Sequence, residues 1–433
     1  MLPRRTSGLP LAALLISGAA FADDSNFRPY IVGSRAAGMG GAFTALSDDG
    51  SGSYYNPGGL AFTSRSSISL SASVYGVVSG SYANALGPNH DFTYGDLNIL
   101  PTCTSAIRKF GDPNPATGVS DNTLVLSVFV PDSVRQDDRD SIGLPQNAFF
   151  LSQNSQTLWI GGGYAHRFGR VGFGAVGYFL LGTATYQLDL TVAAPTDARQ
   201  FAILSGRTDI TTIGGIGGIG MRVDASDHLR FGLSAYSPEL GTGSRRTYQR
   251  GALGAVSGGP TIVVVSEDHL DAGPTIPLRL QLGAAWSNSP LTLSADLIFL
   301  GPREVINNPE LAARGLDRHI TRNAVLNGSL GLEYFVAEKF PMRVGAFTDF
   351  AASPSPKASA LGRGPDNTQH INRYGVTLSG GYWIEHVHTD LGVMLSYGTG
   401  PDLVPNNLDF SNLIPTDVKE LNAYVFLATS YEF

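Results

Sequence analysis

The strongest constraint on this chain is the alternation of its last fifteen residues, 419–433. Successive side chains in this segment switch between two faces. One face is mainly aliphatic and aromatic, and it carries Leu421, Ala423, Val425, Leu427, Thr429, Tyr431 and Phe433. A period of two predicts a β-strand, because neighbouring side chains of a strand point to opposite faces. At about 3.3 Å per residue, this strand is long for a soluble globular protein.

Three internal segments repeat this pattern: 276–286, 291–300 and 373–384. Each has aliphatic or aromatic residues on one face and mostly polar or small residues on the other. Charged residues make up only 15% of the chain, and almost none sits mid-strand on the apolar faces. Strands that are apolar outside and polar inside are typical of a transmembrane β-barrel. A soluble β-sandwich would have shorter strands and more charge on its outer faces.

The spacing of all strand-like segments predicts a closed barrel. Fourteen segments follow one another, at 66–81, 97–109, 121–131, 149–168, 170–191, 207–224, 228–238, 276–288, 290–301, 325–338, 341–350, 372–386, 388–399 and 419–433. Connections after even-numbered segments are short, except 110–120, whereas those after odd-numbered segments are long, up to 239–275. This alternation of short and long connections is typical of outer-membrane barrels with short periplasmic turns. The strand at 97–109 is placed there partly because the alternation requires one. We therefore expect an all-β fold, a 14-stranded antiparallel transmembrane β-barrel over residues 65–433.

The N-terminus predicts export. Arg4 and Arg5 precede an apolar run, and Ala20-Phe21-Ala22 is a cleavage signal, so residues 1–22 are expected to be a signal peptide. The remainder has 27 basic and 36 acidic residues, which argues against nucleic acid or an anionic membrane surface as a partner. The single cysteine, Cys103, has no disulfide partner and is expected to be buried or to face the membrane.

The stretch 38–62 is rich in glycine and carries paired aspartates and an Asn-Pro turn. It is not a phosphate-binding loop, because no Gly-Lys-Ser/Thr follows it. Its ordered elements are Gly38, Gly40, Gly41, Ala42 and Phe43, then Asp48 and Asp49, then Asn56, Pro57, Gly58 and Leu60. This pattern resembles the N-terminal plug of the FadL-type outer-membrane transporters of long-chain fatty acids and other hydrophobic compounds.

The resemblance implies a small hatch, residues 23–64, inside the barrel lumen, with the motif glycines, Asp48, Asp49, Asn56 and Pro57 in its gate. A hydrophobic ligand would be captured at the outer loops, reach a site near the hatch and leave sideways through the wall. We expect passive uptake of long-chain fatty acids or other hydrophobic molecules across the Gram-negative outer membrane, by a monomer without cofactor. The alternative is a non-transporting scaffold or assembly barrel, such as a partner in protein secretion.

Inward-facing arginines are candidate ligand residues. The alternation turns Arg222, Arg230, Arg279, Arg343 and Arg373 toward the lumen. A guanidinium can bind a carboxylate bidentately, and Arg279 and Arg343 are the best candidates because each lies mid-strand among small residues. The alternative is that these arginines form salt bridges with acidic residues, namely Asp48, Asp49, Asp296, Glu333 and Asp349.

Segment 123–130 is apolar on both faces, unlike its neighbours. This favours either a hydrophobic ligand path past Phe129 or packing of the strand against Phe43 and Leu60 of the hatch. Phe43 and Phe129 are further candidate ligand-binding residues. The C-terminal aromatic residues Tyr431 and Phe433 are expected to be the signal for the barrel-assembly machinery.

No catalytic constellation such as G-x-S-x-G or H-E-x-x-H occurs in the sequence, so we do not expect an enzyme. No metal site is predicted either, since the His386–His388 pair has no third ligand apparent.

Overall fold

The structure is a computed structural model. It describes residues 26–82, 91–101, 103–141, 148–194, 197–256, 259–270, 275–306, 319–360, 369–406 and 409–433. The predicted signal peptide, 1–22, lies outside these residues. Two short α-helices, α1 (Ser34–Gly38) and α2 (Gly52–Tyr55), and a 3₁₀ helix (Pro57–Phe62) precede the strands. Among the described residues, no helix is long and apolar enough to cross a bilayer.

Strands dominate the rest of the described chain. The first ten are β1 (Ser67–Tyr82), β2 (Phe92–Pro101), β3 (Cys103–Pro113), β4 (Ser120–Ser141), β5 (Ala148–Phe168), β6 (Val171–Ala194), β7 (Asp197–Asp224), β8 (Leu229–Tyr236), β9 (Leu240–Val256) and β10 (Gly259–Leu270). The others are β11 (Arg279–Asn288), β12 (Leu291–Leu300), β13 (Arg303–Ile306), β14 (His319–Arg322), β15 (Val325–Val336), β16 (Phe340–Asp349), β17 (Ser359–Ala360), β18 (Asn372–Ile384), β19 (Val387–Asn406) and β20 (Asp409–Glu432).

The sheet closes on itself, as predicted. Strands β2 and β3 together form the second wall strand, and antiparallel pairing runs in order through β1, β2/β3, β4, β5, β6, β7, β8, β11, β12, β15, β16, β18, β19 and β20. Strand β20 then pairs with β1 from Ser67↔Glu432 to Tyr82↔Val418. The fold is therefore a closed antiparallel barrel of fourteen strands, with the predicted second strand longer than 97–109.

Strand hairpins lie at the end of the barrel where the connections are long. Within the segment 239–275, β9 and β10 form a hairpin, and β9 pairs with the first half of β7. A second, smaller hairpin joins β13 and β14. This part of the chain was predicted only as loops. The opposite, short-turn end has connections of a few residues, such as 169–170 and 385–386.

The wall has the predicted inverted polarity. In β11, Leu280 and Leu282 are exposed on the outside, whereas Arg279 and Gln281 are buried on the inside. In β18, Val376 and Leu378 are likewise exposed, and Thr377 is buried. An outer surface of aliphatic side chains is unfavourable in water and favourable in contact with lipid.

The N-terminal segment, 26–66, packs against inward-facing residues on all sides of the wall. A Cβ atom on Gly345 of β16 would lie 2.1 Å from the backbone nitrogen of Gly40. On the opposite wall, a Cβ atom on Gly174 of β6 would lie 2.2 Å from the carbonyl oxygen of Pro57. Gly40 itself has φ +64°, which a residue with a side chain rarely adopts. Glycines on both partners therefore let the segment and the wall approach backbone to backbone.

We predict that Gly345→Ala weakens the packing of the N-terminal segment. The added methyl group has no room against Gly40, and overpacking of this kind costs about 1–3 kcal/mol. Gly177→Ala is the matched control, because a Cβ there meets nothing within 4 Å. Thermal unfolding and protease cleavage within 26–66 should both be easier in Gly345→Ala than in Gly177→Ala. Equal behaviour of the two variants would contradict the close backbone contact.

Candidate functional site

A cluster of aromatic side chains joins the N-terminal segment to one side of the wall. This aromatic cluster consists of Tyr54, Phe129, Trp159, Tyr178 and Tyr236. The Tyr54 ring centroid lies 5.6 Å from those of both Phe129 and Trp159, and Tyr178 lies 5.8 Å from Phe129 and 5.7 Å from Trp159. The four wall residues are at least 95% buried, whereas Tyr54 is only half-buried. The cluster is therefore a mostly buried aromatic surface with one partly accessible ring.

Strand register explains why these rings meet. Phe129 of β4 is the direct cross-strand partner of Trp159 of β5. Tyr236 of β8 is the partner of Arg279 of β11. Directly opposed residues on one face of a sheet are in side-chain contact, so the register brings Phe129 to Trp159 and Tyr236 to Arg279.

Hydroxyl groups of the wall hold the carbonyl oxygens of α2. Tyr178 and Tyr236 both donate to the carbonyl oxygen of Ser53, at 3.0 and 2.6 Å. Ser234 donates to the carbonyl oxygen of Tyr55 at 2.6 Å. A helix leaves its last carbonyl groups unpaired, and here the wall supplies the missing donors.

Arg279 lies inside the aromatic cluster. Its Cζ is 4.2 Å from the ring centroids of both Tyr54 and Tyr236 and 5.9 Å from that of Trp159. Its Nη2 donates to the carbonyl oxygen of Tyr54 at 2.7 Å. The residue is only 8% exposed, and its Nε is buried without a hydrogen-bond partner. The indole Nε1 of Trp159 is also buried and unpaired.

The Arg279 charge is incompletely compensated. Among the described residues, no carboxylate lies within ion-pair distance of it. A cation–π contact contributes about 0.5–2 kcal/mol. Removing an ion from water costs several kcal/mol even after relaxation of the protein. Three rings and one carbonyl therefore offset the cost of burial only in part.

Arg343, the other candidate for ligand binding, lies in an ion-pair cluster made of Arg35, Asp48, Glu333, Arg343 and Asp390. It is fully buried, and it donates from Nε to Glu333 at 2.6 Å and from Nη1 to Asp390 at 2.9 Å. Arg35 of the N-terminal segment bridges Asp48 at 2.6 Å and Glu333 at 2.8 Å. The structure thus places Arg343 in the alternative role, a salt bridge that fixes the segment to the wall. Its guanidinium is not open to a ligand.

The remaining inward arginines are also engaged. Arg373 pairs with Glu420 at 3.0 Å and with Asp349 at 3.6 Å. Arg222 pairs with Asp224 at 2.9 Å and donates to the carbonyl oxygen of Leu46. Arg230 donates to the hydroxyl of Ser287 at 3.0 Å and is half-buried.

Phe43 lies apart from Arg279 and Phe129. Its ring packs against Tyr55, with centroids 5.7 Å apart, and Arg35 lies 5.6 Å above it. The carboxylate of Asp296 accepts hydrogen bonds from the backbone N–H groups of Phe43 and Thr44, each at 2.8 Å. Leu60, in contrast, belongs to the buried core that contains Phe129. The strand 123–130 therefore packs against Leu60 of the segment.

The other motif residues stabilise turns of the segment. Asp49 accepts from the backbone N–H and the hydroxyl of Ser51, at 2.8 and 2.6 Å. The amide of Asn56 donates to the carbonyl oxygens of Thr44 and Met221, at 2.8 and 2.9 Å. Pro57 begins the 3₁₀ helix, where its missing N–H is not needed. Gly38 and Gly41 approach Ser379 and Arg28 respectively.

Sequence reasoning missed most of the residues around Arg279 and Arg343. Trp159, Tyr178 and Tyr236 occupy inward positions of predicted strands, so the alternation could have found them as lumen-facing aromatic residues. Tyr54 lies in the recognised plug motif. Asp390 sits on the inward face of β19 and could have been added to the acidic partners. Cys103 is buried and faces inward.

The fold matches solved structures along nearly its whole length. A Pseudomonas aeruginosa FadL homologue superimposes with a TM-score of 0.65 over 94% of this chain and 100% of that chain, at 14% sequence identity. The chain has the FadL-type fold. The P. putida toluene transporter TodX gives a TM-score of 0.63 at 13% identity, over 94% of this chain and 99% of that one. The Ralstonia pickettii toluene transporter TbuX gives 0.58 at 12% identity, over 93% and 98%.

The FadL-type resemblance predicted from residues 38–62 is thereby confirmed for the fold. No family model matches the chain, and no curated protein matches it in sequence. At such low identities the likeness concerns the backbone architecture, so the ligand has to be inferred from the residues of this chain.

We predict that Asp49→Asn stabilises the protein at neutral pH. Burial raises the pKa of the Asp49 carboxyl group, and the hydrogen bonds from Ser51 only partly oppose this. A carboxyl group whose pKa is higher in the folded state contributes stability at pH values below its unfolded pKa, and this contribution is lost as the pH rises through the folded pKa. Asparagine keeps the acceptor oxygen for Ser51 and carries no charge.

The midpoint of thermal unfolding should therefore rise in Asp49→Asn at pH 7. It should be nearly unchanged about one pH unit below the ordinary aspartate pKa of about 3.9. Asp227→Asn, at a side chain that is 82% exposed, is the control and should show neither effect. A lower midpoint of Asp49→Asn at pH 7 would show that the ionised carboxylate stabilises the fold.

Proposed function

We propose that the protein is an outer-membrane channel for passive uptake of hydrophobic small molecules, such as long-chain fatty acids or monoaromatic hydrocarbons. The observation that carries this proposal is the aromatic cluster, an apolar surface beside the N-terminal segment within a closed barrel. The FadL-type fold supports it, because solved structures of this fold include the toluene transporters TodX and TbuX. Diffusion down a concentration gradient needs no cofactor and no catalytic group.

The outer surface supports placement in a bilayer. Most large apolar side chains exposed along the strands are aliphatic, and the short-turn end carries exposed aromatic residues, among them Phe168, Phe173, Phe340, Tyr382, Tyr431 and Phe433. Aromatic girdles mark the membrane–water interfaces of transmembrane barrels. In this arrangement the short-turn end faces the periplasm, residues 1–22 direct export, and Tyr431 and Phe433 are presented to the barrel-assembly machinery. The surrounding lipid is then the main partner of a monomeric barrel.

One irregularity in the wall lies beside the aromatic cluster. The register between β4 and β5 shifts between Phe129 and Asp132. Bulges bend a strand and disrupt its ladder locally, often next to functional sites. We infer that a ligand which has reached the cluster leaves sideways through this part of the wall.

The N-terminal segment acts in this proposal as a fixed hatch. Side-chain contacts tie it to the wall at five residues, which are Asp296, Arg35, Ser234, Tyr178 and Tyr236. Breaking even one buried ion pair costs about 3–5 kcal/mol. Expelling the whole segment would break many such contacts, so the ligand passes beside the hatch and the hatch stays in place.

A non-transporting scaffold is the second candidate, and the ion-pair cluster favours it. Glu333 and Arg343 are almost completely buried between the segment and the wall, as expected of a lumen filled for rigidity. Transport is the better proposal because the scaffold role explains neither the unpaired Arg279 nor the half-buried Tyr54.

The test is uptake into liposomes that contain the purified protein. We expect influx of radiolabelled oleate or toluene to exceed that of protein-free liposomes, because the cluster lowers the barrier for an apolar solute. Phe129→Ala should reduce the influx several-fold, because the ligand loses apolar contact with the ring that contributes about 1–3 kcal/mol. Tyr164→Ala, on the exposed outer surface, is the control. Influx no faster than in protein-free liposomes, with the barrel folded, would favour the scaffold.

A further inference from the structure

We propose that Arg279 and Trp159 bind the carboxylate of an aromatic acid, whose ring takes the position of the Tyr54 ring. The inference rests on the proposed uptake of hydrophobic molecules and specifies the ligand class. It separates this chain from channels for pure hydrocarbons, because it requires a negative charge on the ligand.

The negative charge of the ligand is inferred from two N–H donors in and beside the aromatic cluster. Arg279 Nε and Trp159 Nε1 are both buried and have no hydrogen-bond partner. They belong to neighbouring side chains, since the Arg279 Cζ lies 5.9 Å from the Trp159 ring centroid. An indole N–H can only donate, and a guanidinium also offers only donors. The site therefore requires an acceptor that can reach both groups.

Comparison with three other arginines inside the barrel indicates that this acceptor is anionic. Arg35, Arg343 and Arg373 each contact carboxylates of the protein. Among the described residues, Arg279 contacts aromatic rings, the phenol group of Tyr236 and a neutral carbonyl oxygen, but no carboxylate. A carboxylate would supply the missing negative charge and two acceptor oxygens in the geometry that guanidinium prefers. A hydrocarbon would leave both donors unpaired and the cation uncompensated.

The aromatic ring of the ligand is inferred from the position of the Tyr54 ring. Its ring stacks on Arg279 and lies in edge contact with Phe129, at a centroid distance of 5.6 Å. It is the only half-buried ring of the aromatic cluster. Tyr178 and Tyr236 are fixed through their hydroxyl groups to Ser53, whereas the Tyr54 hydroxyl bonds to no other described residue. Rotation of the Tyr54 side chain therefore breaks no side-chain hydrogen bond among the described residues, and the ring contacts that it gives up are those that a ligand ring would restore.

A planar ring with a carboxylate fits the space that this rotation would open. The ring would meet Phe129 and Trp159 in the geometry that aromatic pairs prefer. The carboxylate would accept from Arg279 Nε and Trp159 Nε1. The bond from Arg279 Nη2 to the Tyr54 carbonyl would remain, so α2 need not move. Tyr54 is thus an internal competitor for the ligand ring.

The test compares 3-phenylpropionate with its neutral amide, 3-phenylpropionamide, by equilibrium dialysis against the full-length protein in detergent. We expect the acid to bind about tenfold more tightly than the amide, as a charge-assisted hydrogen bond would give. Arg279→Gln should abolish this preference, and Trp159→Phe should reduce it. Tyr54→Ala should tighten binding of both ligands. Arg230→Gln, at a half-buried inward arginine outside the cluster, should leave the preference unchanged.

Equal binding of acid and amide by the unmodified protein would overturn the inference, and so would a preference that survives in Arg279→Gln. Should Arg279→Gln fail to fold, the reduced acid preference of Trp159→Phe tests the anionic site, and the tighter binding of both ligands by Tyr54→Ala tests the position of the ligand ring. If toluene or oleate is taken up but 3-phenylpropionate binds no more tightly than its amide, the proposed function stands and only the anionic site is excluded. Absence of uptake for every hydrophobic probe would exclude the proposed function itself.

Discussion

The structure depends on one constraint: a chain segment enclosed by a closed barrel must satisfy its backbone polar groups from the wall. The N-terminal segment has only short helices and turns, and several of its N–H and C=O groups do not pair within it. Asp296 accepts from two of its N–H groups, and hydroxyls of Tyr178, Tyr236 and Ser234 donate to its carbonyls. An unpaired buried group would cost about 1–3 kcal/mol, so the inward polar residues of the strands are needed for folding as well as for any ligand.

The same constraint separates two kinds of inward arginine. Arg343 is neutralised by carboxylates and ties the segment to the wall, whereas Arg279 is surrounded by aromatic rings and lacks an anionic partner among the described residues. The charge of the first arrangement is balanced without a ligand, although Arg343 Nη2 also lacks a hydrogen-bond partner. The charge of the second is not balanced, and the Trp159 indole N–H beside it also needs an acceptor. Both arginines point into the lumen, and their neighbouring side chains give them different roles.

The wall could be predicted from the sequence because a period of two is a local property, visible at Leu280 and Leu282 without any knowledge of the partner strands. The inward orientation of Arg279 and Arg343 followed from the same rule. Their different surroundings could not be predicted in this way. Arg343 meets Glu333 through the register of β15 and β16, and Arg279 meets Tyr54 across 225 residues of sequence. The β9–β10 hairpin is not predicted, because the alternation of short and long connections assigns the whole segment 239–275 to a loop.

The most direct test of a fixed hatch is a disulfide between the N-terminal segment and the wall. Ser53 of α2 and Ser127 of β4 have hydroxyl oxygens 3.1 Å apart, so Ser53→Cys with Ser127→Cys can form a disulfide after a small adjustment, with Cys103→Ser removing the native thiol. Influx of a hydrophobic probe into liposomes would be measured before and after reduction. The account predicts the same influx with the disulfide intact, because the ligand passes beside the segment. Influx that stops when the disulfide forms and returns on reduction would show that the segment itself has to move.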